Sequence, residues 1–251
     1  MRPNHLHWLN RDQPDEPFPD VEYALTEPSG LLAIGGDLHP RRVLNAYANG
    51  IFPWYNPDEP ILWWSPDPRT VFRPRSLHVS RSMRRVLNRA DYAVTLDQAF
   101  EIVLEQCAAP RPGQRGTWLG AAMREAYLRL HALGYAHSVE VWRERRLVGG
   151  LYGVALGGVF FGESMFSRAS NGSKLALVYL AHQLAAWRFS LLDGQVGSPH
   201  LYRMGAFDMP RARFQRTLRR SMTHPDRPGP WQLDIDVPHD PRHLPLALRP
   251  R

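Results

Sequence analysis

Three apolar segments that follow one another almost without interruption constrain the fold of this chain most strongly. They read AHSVEVWR, LVGGLYGVAL and GVFFGESMF and lie between residues 136 and 166. The first connection is Glu144-Arg145-Arg146, and the second is the Gly157-Gly158 pair. Connections this short join antiparallel neighbours, because parallel strands need a crossover of about a dozen residues. The pattern therefore predicts a three-stranded antiparallel meander.

Regular segments on both sides of the meander complete the predicted layout. Apolar periodicity predicts a basic helix over 80–90, capped by Ser80 or Ser82, and helices over 97–109, 117–134 and 173–187. Asp97 is expected to open the second of these helices. Strands are expected over 92–96 and 190–196. This order predicts an α+β fold with a central, mostly antiparallel sheet, as in GNAT-type N-acyltransferases. In that architecture the acyl donor enters where two central strands splay apart.

The first seventy residues have a different character, because they are rich in Pro, Gly and aromatic side chains. One helix is predicted there, from Pro40 to Ala48, ended by Asn49-Gly50. We expect a small N-terminal α/β domain over 1–67 and a GNAT-like catalytic domain over 68–221. The aperiodic, Pro-rich residues 222–251 predict a loosely ordered tail.

Charge and cysteine content narrow the classes of function. Lys and Arg outnumber Asp and Glu by 31 to 24, which favours a polyanionic partner such as nucleic acid. Cys107 is the only cysteine, the N-terminus lacks a secretory apolar segment, and no apolar run reaches the ~20 residues of a membrane span. We therefore expect a cytoplasmic protein without membrane contact. The histidines lack metal-ligand spacing, so no metal site is expected.

Glu163 stands out because it ends an apolar strand. Strand alternation puts it on the same face as Phe161 and Met165. One interpretation is a solvated glutamate or a pair with Arg168. The other is a carboxylate at the rim of an apolar pocket, suited to a cationic ligand.

The turn SRASNGS, residues 167–173, also has two interpretations. Its backbone N–H groups would suit an anion or a carbonyl oxygen, or Ser173 would simply cap the helix that follows. Arg168 and Gly172 are one residue too far apart for the pyrophosphate loop of acetyl-CoA enzymes. This spacing argues against coenzyme A as the donor.

Asp193 and Gln195 alternate on the last predicted strand. Either both lie in solvent, or both face the pocket. In the second case Asp193 would hold the Gln195 NH2 group and turn its carbonyl oxygen outward. An amide oxygen is a weak base, yet an α-amine with a pKa of roughly 7.7–8.0 is partly neutral near pH 7.

Basic and aromatic residues suggest where nucleic acid would bind. The basic helix predicted over 80–90 carries four arginines close to one face: Arg81, Arg84, Arg85 and Arg89. They are either solvated or contact a phosphate backbone. Trp54 and Trp118 are either core residues or aromatic platforms that stack on a base.

Seven motifs occur in one order: GLLAIGGDL, AYANGIFPWY, PILWWSPDPR, SLHVSRSMRR, HSVEVWR, GESMFSR and DGQV. Together they resemble leucyl/phenylalanyl-tRNA–protein transferases from about Pro28 to Phe214. The resemblance implies transfer of Leu or Phe, and less readily Met, from aminoacyl-tRNA to proteins that begin with Arg or Lys. The product carries an N-end-rule degradation signal. It also implies a monomer that uses neither ATP nor metal.

The resemblance implies roles for particular residues. Asp193 and Gln195 would form the relay that accepts the amine proton, and Glu163 would hold the cationic N-terminus of the acceptor. Trp54 and Trp118 would lie near the terminal adenosine, and the four arginines would contact the tRNA. The aminoacyl pocket would be formed by Leu151, Phe160, Gly162, Met165, Leu177, Leu184 and Leu192.

One position departs from the family pattern. Better-known members carry Asn three residues after the Gln, where this chain has Ser198 followed by Pro199. The hydrogen bonds of that Asn must therefore be made differently. Two alternatives stay open: an acetyl-CoA-dependent N-acetyltransferase of the GNAT type, and a non-catalytic tRNA-binding protein.

Overall fold

A small sheet organises the first part of the chain. The computed structural model describes residues 6–89, 91–110 and 119–235. Strands β1 (His7–Leu9), β2 (Leu31–Gly35), β3 (Phe52–Pro53) and β4 (Leu62–Trp64) pair in the order β1-β2-β4-β3. Helix α1 spans Pro40–Ala48, as predicted. It ends at Gly50, whose φ of +71° lies in the left-handed region that favours glycine.

The large sheet contains the predicted meander. Its strands are β5 (Arg69–Phe72), β6 (Ala93–Leu96), β7 (Ala136–Arg143), β8 (Arg146–Leu156), β9 (Val159–Ser167), β10 (Leu191–Asp193) and β11 (Phe207–Met209). They lie in the order β11-β5-β10-β9-β8-β7-β6. The β9–β10 pair is parallel, and the other neighbours are antiparallel. The prediction of an α+β fold with a mostly antiparallel central sheet is confirmed.

Helices cover both faces of the large sheet. They are α2 (Arg81–Arg89), α3 (Phe100–Ala108), α4 (Ala121–Ala132), α5 (Gly172–Ala186), α6 (Pro199–Arg203) and α7 (Arg211–Ser221). One core cluster lies between the sheet and α1, α3, α4 and α7. A second cluster lies between the other face and α2 and α5. Within the described ranges, no helix has the length and apolar character of a membrane span.

Three helix starts differ from the prediction. Helix α4 begins at Ala121 and not at residue 117. Ser80 caps α2 as expected, since its Oγ accepts the Met83 N–H at 3.2 Å. Asp97 does not open α3, because its φ is +55° and its carboxylate accepts N–H groups from Ser138 and Trp231 instead. Ser173 is not a cap either. The residue before α5 is Asn171, which makes no side-chain capping bond.

The central opening of the sheet lies between β9 and β10. Their pairing stops at Phe161 and Asp193, and β9 continues to Ser167 without β10 beside it. A β-bulge at Gly162–Ser164 also interrupts the alternation of β9. Phe161 and Met165 therefore pack on opposite faces, not on one face as alternation predicted.

The segment 222–235 packs onto the large sheet, so the prediction of a loose tail is wrong for these residues. Trp231 is 3% exposed, and its ring stacks on that of His137 with centroids 3.6 Å apart. Asp234 accepts hydrogen bonds from Gln183 on α5 and from Trp187, which directly follows that helix. Residues 236–251 lie outside the described residues.

The two sheets divide the chain between Trp64 and Arg69. One hydrophobic cluster nevertheless contains residues of both sheets, such as Trp63 and Val71. The boundary at residues 67 and 68 therefore stays a prediction.

Candidate functional site

Glu163 lies at the opening between β9 and β10, where three side chains donate hydrogen bonds to it. Its Oε1 atom accepts from the Tyr47 hydroxyl and from Gln195 Nε2, each at 2.7 Å. Its Oε2 atom accepts from the Tyr127 hydroxyl at 2.7 Å. A carboxylate has about four acceptor positions, and these three donors fill most of them. The partners of Glu163 are thus two tyrosines and a glutamine, so the interpretation as a pair with Arg168 is wrong.

The surroundings of Glu163 make its ionisation unusually difficult. Burial raises the pKa of Glu163 from 4.5 to about 7, although the hydrogen bonds from Tyr127, Tyr47 and Gln195 oppose the increase. Glu163 is half-buried because it borders a cleft, but its carboxylate is enclosed by protein groups. A group with such a pKa changes charge in the range where an α-amine also titrates.

Gln195 is held by two carboxylates, and the arrangement differs from the predicted one. Asp193 does not bind its side-chain NH2 group, which goes to Glu163. Asp193 Oδ1 accepts the backbone N–H of Gln195 at 2.8 Å. Gln195 is not in the strand but follows it, with φ at +61°. The side chain of Gln195 lines the cleft beside Glu163.

The carboxylate of Asp193 forms an ion pair with an arginine. Arg69 donates to both of its oxygens, through Nε at 2.9 and 3.1 Å and through Nη2 at 2.6 Å. Arg69 lies between the rings of Phe52 and Phe214 and is fully buried. This bidentate, buried pair makes Asp193 a fixed support for the Gln195 backbone.

A cleft and a smaller cavity meet at this site. The cleft has a volume of about 900 Å³, and Glu163, Gln195 and Trp54 line it. The cavity has a volume of about 100 Å³ and is mostly apolar. The two share six lining residues: Gly162, Glu163, Ser164, Met165, Gly194 and Leu201. The arrangement suits a ligand with an apolar side chain in the cavity and its reactive group beside Glu163 and Gln195.

Two family models match the chain. The model described as leucyl/phenylalanyl-tRNA protein transferase matches residues 71–219, and that for the N-terminal domain of the same protein matches residues 36–67. The chain belongs to this family. The resemblance inferred from the seven motifs is thereby confirmed, and with it the prediction of an aminoacyltransferase.

Individual members of the transferase family align with this chain over almost their whole length. A protein of Alkalilimnicola ehrlichii named leucyl/phenylalanyl-tRNA–protein transferase is 55% identical over 92% of this chain and 90% of its own. A relative of the same name from Nitrosomonas europaea is 53% identical over 89% of this chain and 95% of its own. A solved GCN5-related N-acetyltransferase from Kribbella flavida is 14% identical over 67% of this chain and 59% of that one. The TM-score between the two structures is 0.32.

The pocket residues expected from the transferase family are brought together with one exception. Six of the seven line the cavity: Leu151, Phe160, Gly162, Met165, Leu177 and Leu192. Leu184 does not line it. It lies in the core one turn further along α5, fully buried, and Leu180 lines the cavity instead.

The residues expected to bind adenosine and tRNA lie at the edge of the cleft or on the surface. Trp54 lines the cleft and is 45% exposed. Trp118 lies outside the described residues. Arg81, Arg85 and Arg89 are exposed on α2, whereas Arg84 is half-buried and its Nε atom is enclosed. A shallow surface groove joins Arg85 and Arg89 to Asn171 at the start of α5.

The start of α5 is poorly suited to a pyrophosphate. The N–H of Ser173 already donates to Ser167 Oγ at 2.8 Å, and the N–H of Gly172 donates to the Ala169 carbonyl at 3.1 Å. Gly149 also packs closely on Gly172, since a Cβ atom on Gly149 would lie 2.4 Å from the carbonyl carbon of Gly172. These contacts disfavour the acetyl-CoA alternative, because that donor needs free N–H groups at the helix start.

Three residues of the site were not identified from the sequence. Tyr47 and Tyr127 occupy apolar positions of amphipathic helices, and Arg69 follows a Pro-rich turn. Their roles depend on partners distant in sequence: Tyr47 and Glu163 are 116 residues apart, and Arg69 and Asp193 are 124 residues apart. No local pattern marks such contacts.

Proposed function

We propose that this chain transfers Leu or Phe, and less readily Met, from aminoacyl-tRNA to the N-terminal α-amine of proteins that begin with Arg or Lys. The product would carry an N-end-rule degradation signal. The protein would act as a cytoplasmic monomer without a cofactor. One observation carries the proposal: the Glu163–Gln195 hydrogen bond at the mouth of an apolar cavity.

The cavity would hold the side chain of the transferred amino acid. Leu and Phe carry large apolar side chains without branching at Cβ, so burial in an apolar cavity favours them. A difference of one methylene is worth only about 1–3 kcal/mol, which explains why Met would also be accepted. The ester carbonyl of the amino acid would then lie beside Gln195.

Gln195 would accept the proton of the attacking amine. The nitrogen of the acceptor bonds to the ester carbonyl carbon, and the bond from that carbon to the ribose oxygen breaks. The departing ribose oxygen takes up the proton that the amine gave to Gln195 and becomes a hydroxyl, so Gln195 ends neutral. Nε2 of Gln195 is fixed by Glu163 and the residue lines the cleft, so its Oε1 atom would be the group that meets the amine. The amine becomes strongly acidic only as the new bond forms, so a weak base at this position suffices.

Glu163 would attract the cationic N-terminus of the acceptor through its carboxylate. Asp193 would act as a positioning residue, because Arg69 and the Gln195 backbone occupy its carboxylate. The ester is already activated, so the enzyme needs mainly to orient two reactants, which supplies several kcal/mol of the barrier. Trp54, Trp118 and the four α2 arginines would hold the adenosine and the tRNA backbone.

A transfer assay tests the proposal. The protein is mixed with radiolabelled Leu-tRNA and a peptide that begins with Arg, and a peptide of the same sequence that begins with an acetylated Arg serves as control. We expect label in the first peptide and none in the second. If the protein binds charged and uncharged tRNA equally and transfers no label, the proposal is wrong and the non-catalytic alternative stands.

A further inference from the structure

Leu201 borders both the cleft and the apolar cavity. Among the six shared lining residues, Leu201 and Met165 have the large apolar side chains. Leu201 also lies against the backbone that precedes Gln195, because a Cβ atom on Gly194 would be 3.3 Å from Leu201 Cδ1. No pattern in the sequence marks this residue. Its side chain thus contributes to the wall where the cleft and the cavity meet.

Hydrogen bonds fix the position of Leu201. Ser198 precedes α6, and its Oγ atom accepts the Leu201 N–H at 3.3 Å. The Leu201 carbonyl accepts N–H groups from Met204 and Ala206, each at 3.0 Å. Pro199 at the start of α6 fixes the backbone further. Hydrogen bonds thus fix the Leu201 backbone through both its N–H and its carbonyl group. This fixed backbone positions the side chain where the cleft meets the cavity.

The cavity is small compared with an aromatic ring. Its volume is about 100 Å³, whereas a dry protein cavity that binds benzene measures roughly 150 Å³. The four-carbon side chain of Leu needs less space than the seven-carbon side chain of Phe. A Phe side chain therefore fits only if a side chain that lines the cavity moves.

We propose that Leu201 is a specificity-determining residue that limits the size of the aminoacyl side chain and so favours Leu over Phe. This inference rests on the proposed transferase function. Most other large residues that line the cavity, such as Phe72, Phe160 and Leu177, are buried in the core. Movement of these side chains would cost packing energy. Leu201 is half-buried at the mouth, so its truncation widens the cavity at a smaller cost to stability.

The test compares Leu201→Ala with the wild type in transfer from Leu-tRNA and from Phe-tRNA. We expect the ratio of kcat/KM for Phe to that for Leu to rise by about tenfold or more, in the range that a few methylenes control. Leu128→Ala is the matched control, because Leu128 is a half-buried helix residue on the opposite face of the sheet. Its ratio should equal that of the wild type. An unchanged ratio in Leu201→Ala would overturn the assignment.

Binding of a stable substrate analogue separates this inference from the proposed function. Adenosine that carries Leu or Phe through a 3′-amide is titrated into each variant by calorimetry. We expect the wild type to bind the Leu form more tightly and Leu201→Ala to lose or reverse that preference, even if no transfer is observed. If Leu201→Ala does not fold, Leu201→Val should shift the preference in the same direction, and an unchanged preference there counts against the proposal.

Ser198 should influence the same preference through Leu201. Ser198→Ala removes the cap, so the Leu201 backbone is held less firmly and Phe should gain relative to Leu, by less than in Leu201→Ala. Ser198→Asn retains a good capping side chain and should restore the wild-type ratio. A general loss of stability would lower transfer of both amino acids without changing their ratio. Equal ratios in Ser198→Ala and the wild type would exclude a positioning role for Ser198.

Discussion

Gln195 donates its side-chain N–H to Glu163 at 2.7 Å, across the gap where β9 and β10 separate. Its backbone N–H goes to a different carboxylate, that of Asp193. These two contacts hold the residue at a positive φ, a conformation that a side chain other than glycine adopts rarely. Gln195 therefore lines the cleft in a conformation that the surrounding residues enforce.

Replacement of Gln195 by Ala should slow transfer while leaving tRNA binding intact. The variant loses the amide oxygen that we expect to accept the amine proton, and loss of a general base typically reduces the rate by about 10²–10⁴-fold. Single-turnover transfer from Leu-tRNA measures the rate, and filter binding measures the tRNA affinity. If the affinity falls as much as the rate, Gln195 serves in binding and not in proton transfer.

Transfer should depend on pH through Glu163. Its pKa is about 7, so the carboxylate is neutral below this pH and attracts the cationic N-terminus only above it. We expect kcat/KM for the acceptor peptide to rise as the pH increases through about 7. Glu163→Gln should lack this step but keep the step caused by the α-amine near pH 7.7–8.0. A profile that is identical in both proteins would contradict the role of Glu163.

The raised pKa of Glu163 should also make the free energy of unfolding depend on pH. The pKa of Glu163 is higher in the folded protein than its ordinary value of 4.5, so the folded state binds more protons between these limits. The free energy of unfolding of the wild type, relative to Glu163→Gln, should therefore decrease as the pH rises from about 4.5 to about 7. Urea titrations at several pH values measure it. A difference that stays constant over this range would mean that the carboxylate ionises as easily in the folded chain as in the unfolded one.

Removal of either tyrosine hydroxyl should move the pH dependence to higher pH. The hydroxyls of Tyr47 and Tyr127 donate to Glu163 and stabilise its ionised form, which lowers its pKa. Tyr47→Phe and Tyr127→Phe should each shift the Glu163-dependent step of the kcat/KM profile upward. Tyr152→Phe is the control, because the buried Tyr152 hydroxyl has no hydrogen-bond partner among the described residues. A shift of equal size in the control would show that packing, not hydrogen bonding, sets the pKa.

Several helices and strands could be predicted because their patterns are local. The strand from Ala136 to Arg143 and the helix from Pro40 to Ala48 agree with the prediction at both ends. Strand patterns also suggested Glu163, Asp193 and Gln195 as candidates, but their contacts are long-range and could not be predicted from a local pattern. The bulge at Gly162–Ser164 and the positive φ of Gln195 then changed which atoms meet. Residues 222–235 lack periodicity, so the burial of Trp231 had no sequence signal.

The exposed arginines of α2 should carry part of the tRNA affinity. Arg85 and Arg89 lie beside the start of α5, at the edge of a surface groove. Each arginine that neutralises a phosphate should contribute between about 0.7 and 0.9 to the magnitude of the slope of log K against log salt. Filter binding of Leu-tRNA at several salt concentrations would measure this slope for Arg85→Ala/Arg89→Ala. We expect a shallower slope and weaker binding than in the wild type.

A second double variant separates the α2 surface from the overall charge of the protein. Arg213→Ala/Arg216→Ala removes two exposed arginines from α7, on the opposite face of the sheet. It changes the net charge by the same amount as the α2 variant, so a purely long-range attraction would weaken equally in both. Direct phosphate contacts on α2 predict that the slope changes in the α2 variant alone. Equal effects in both variants would mean that net charge, and not the α2 surface, determines the affinity.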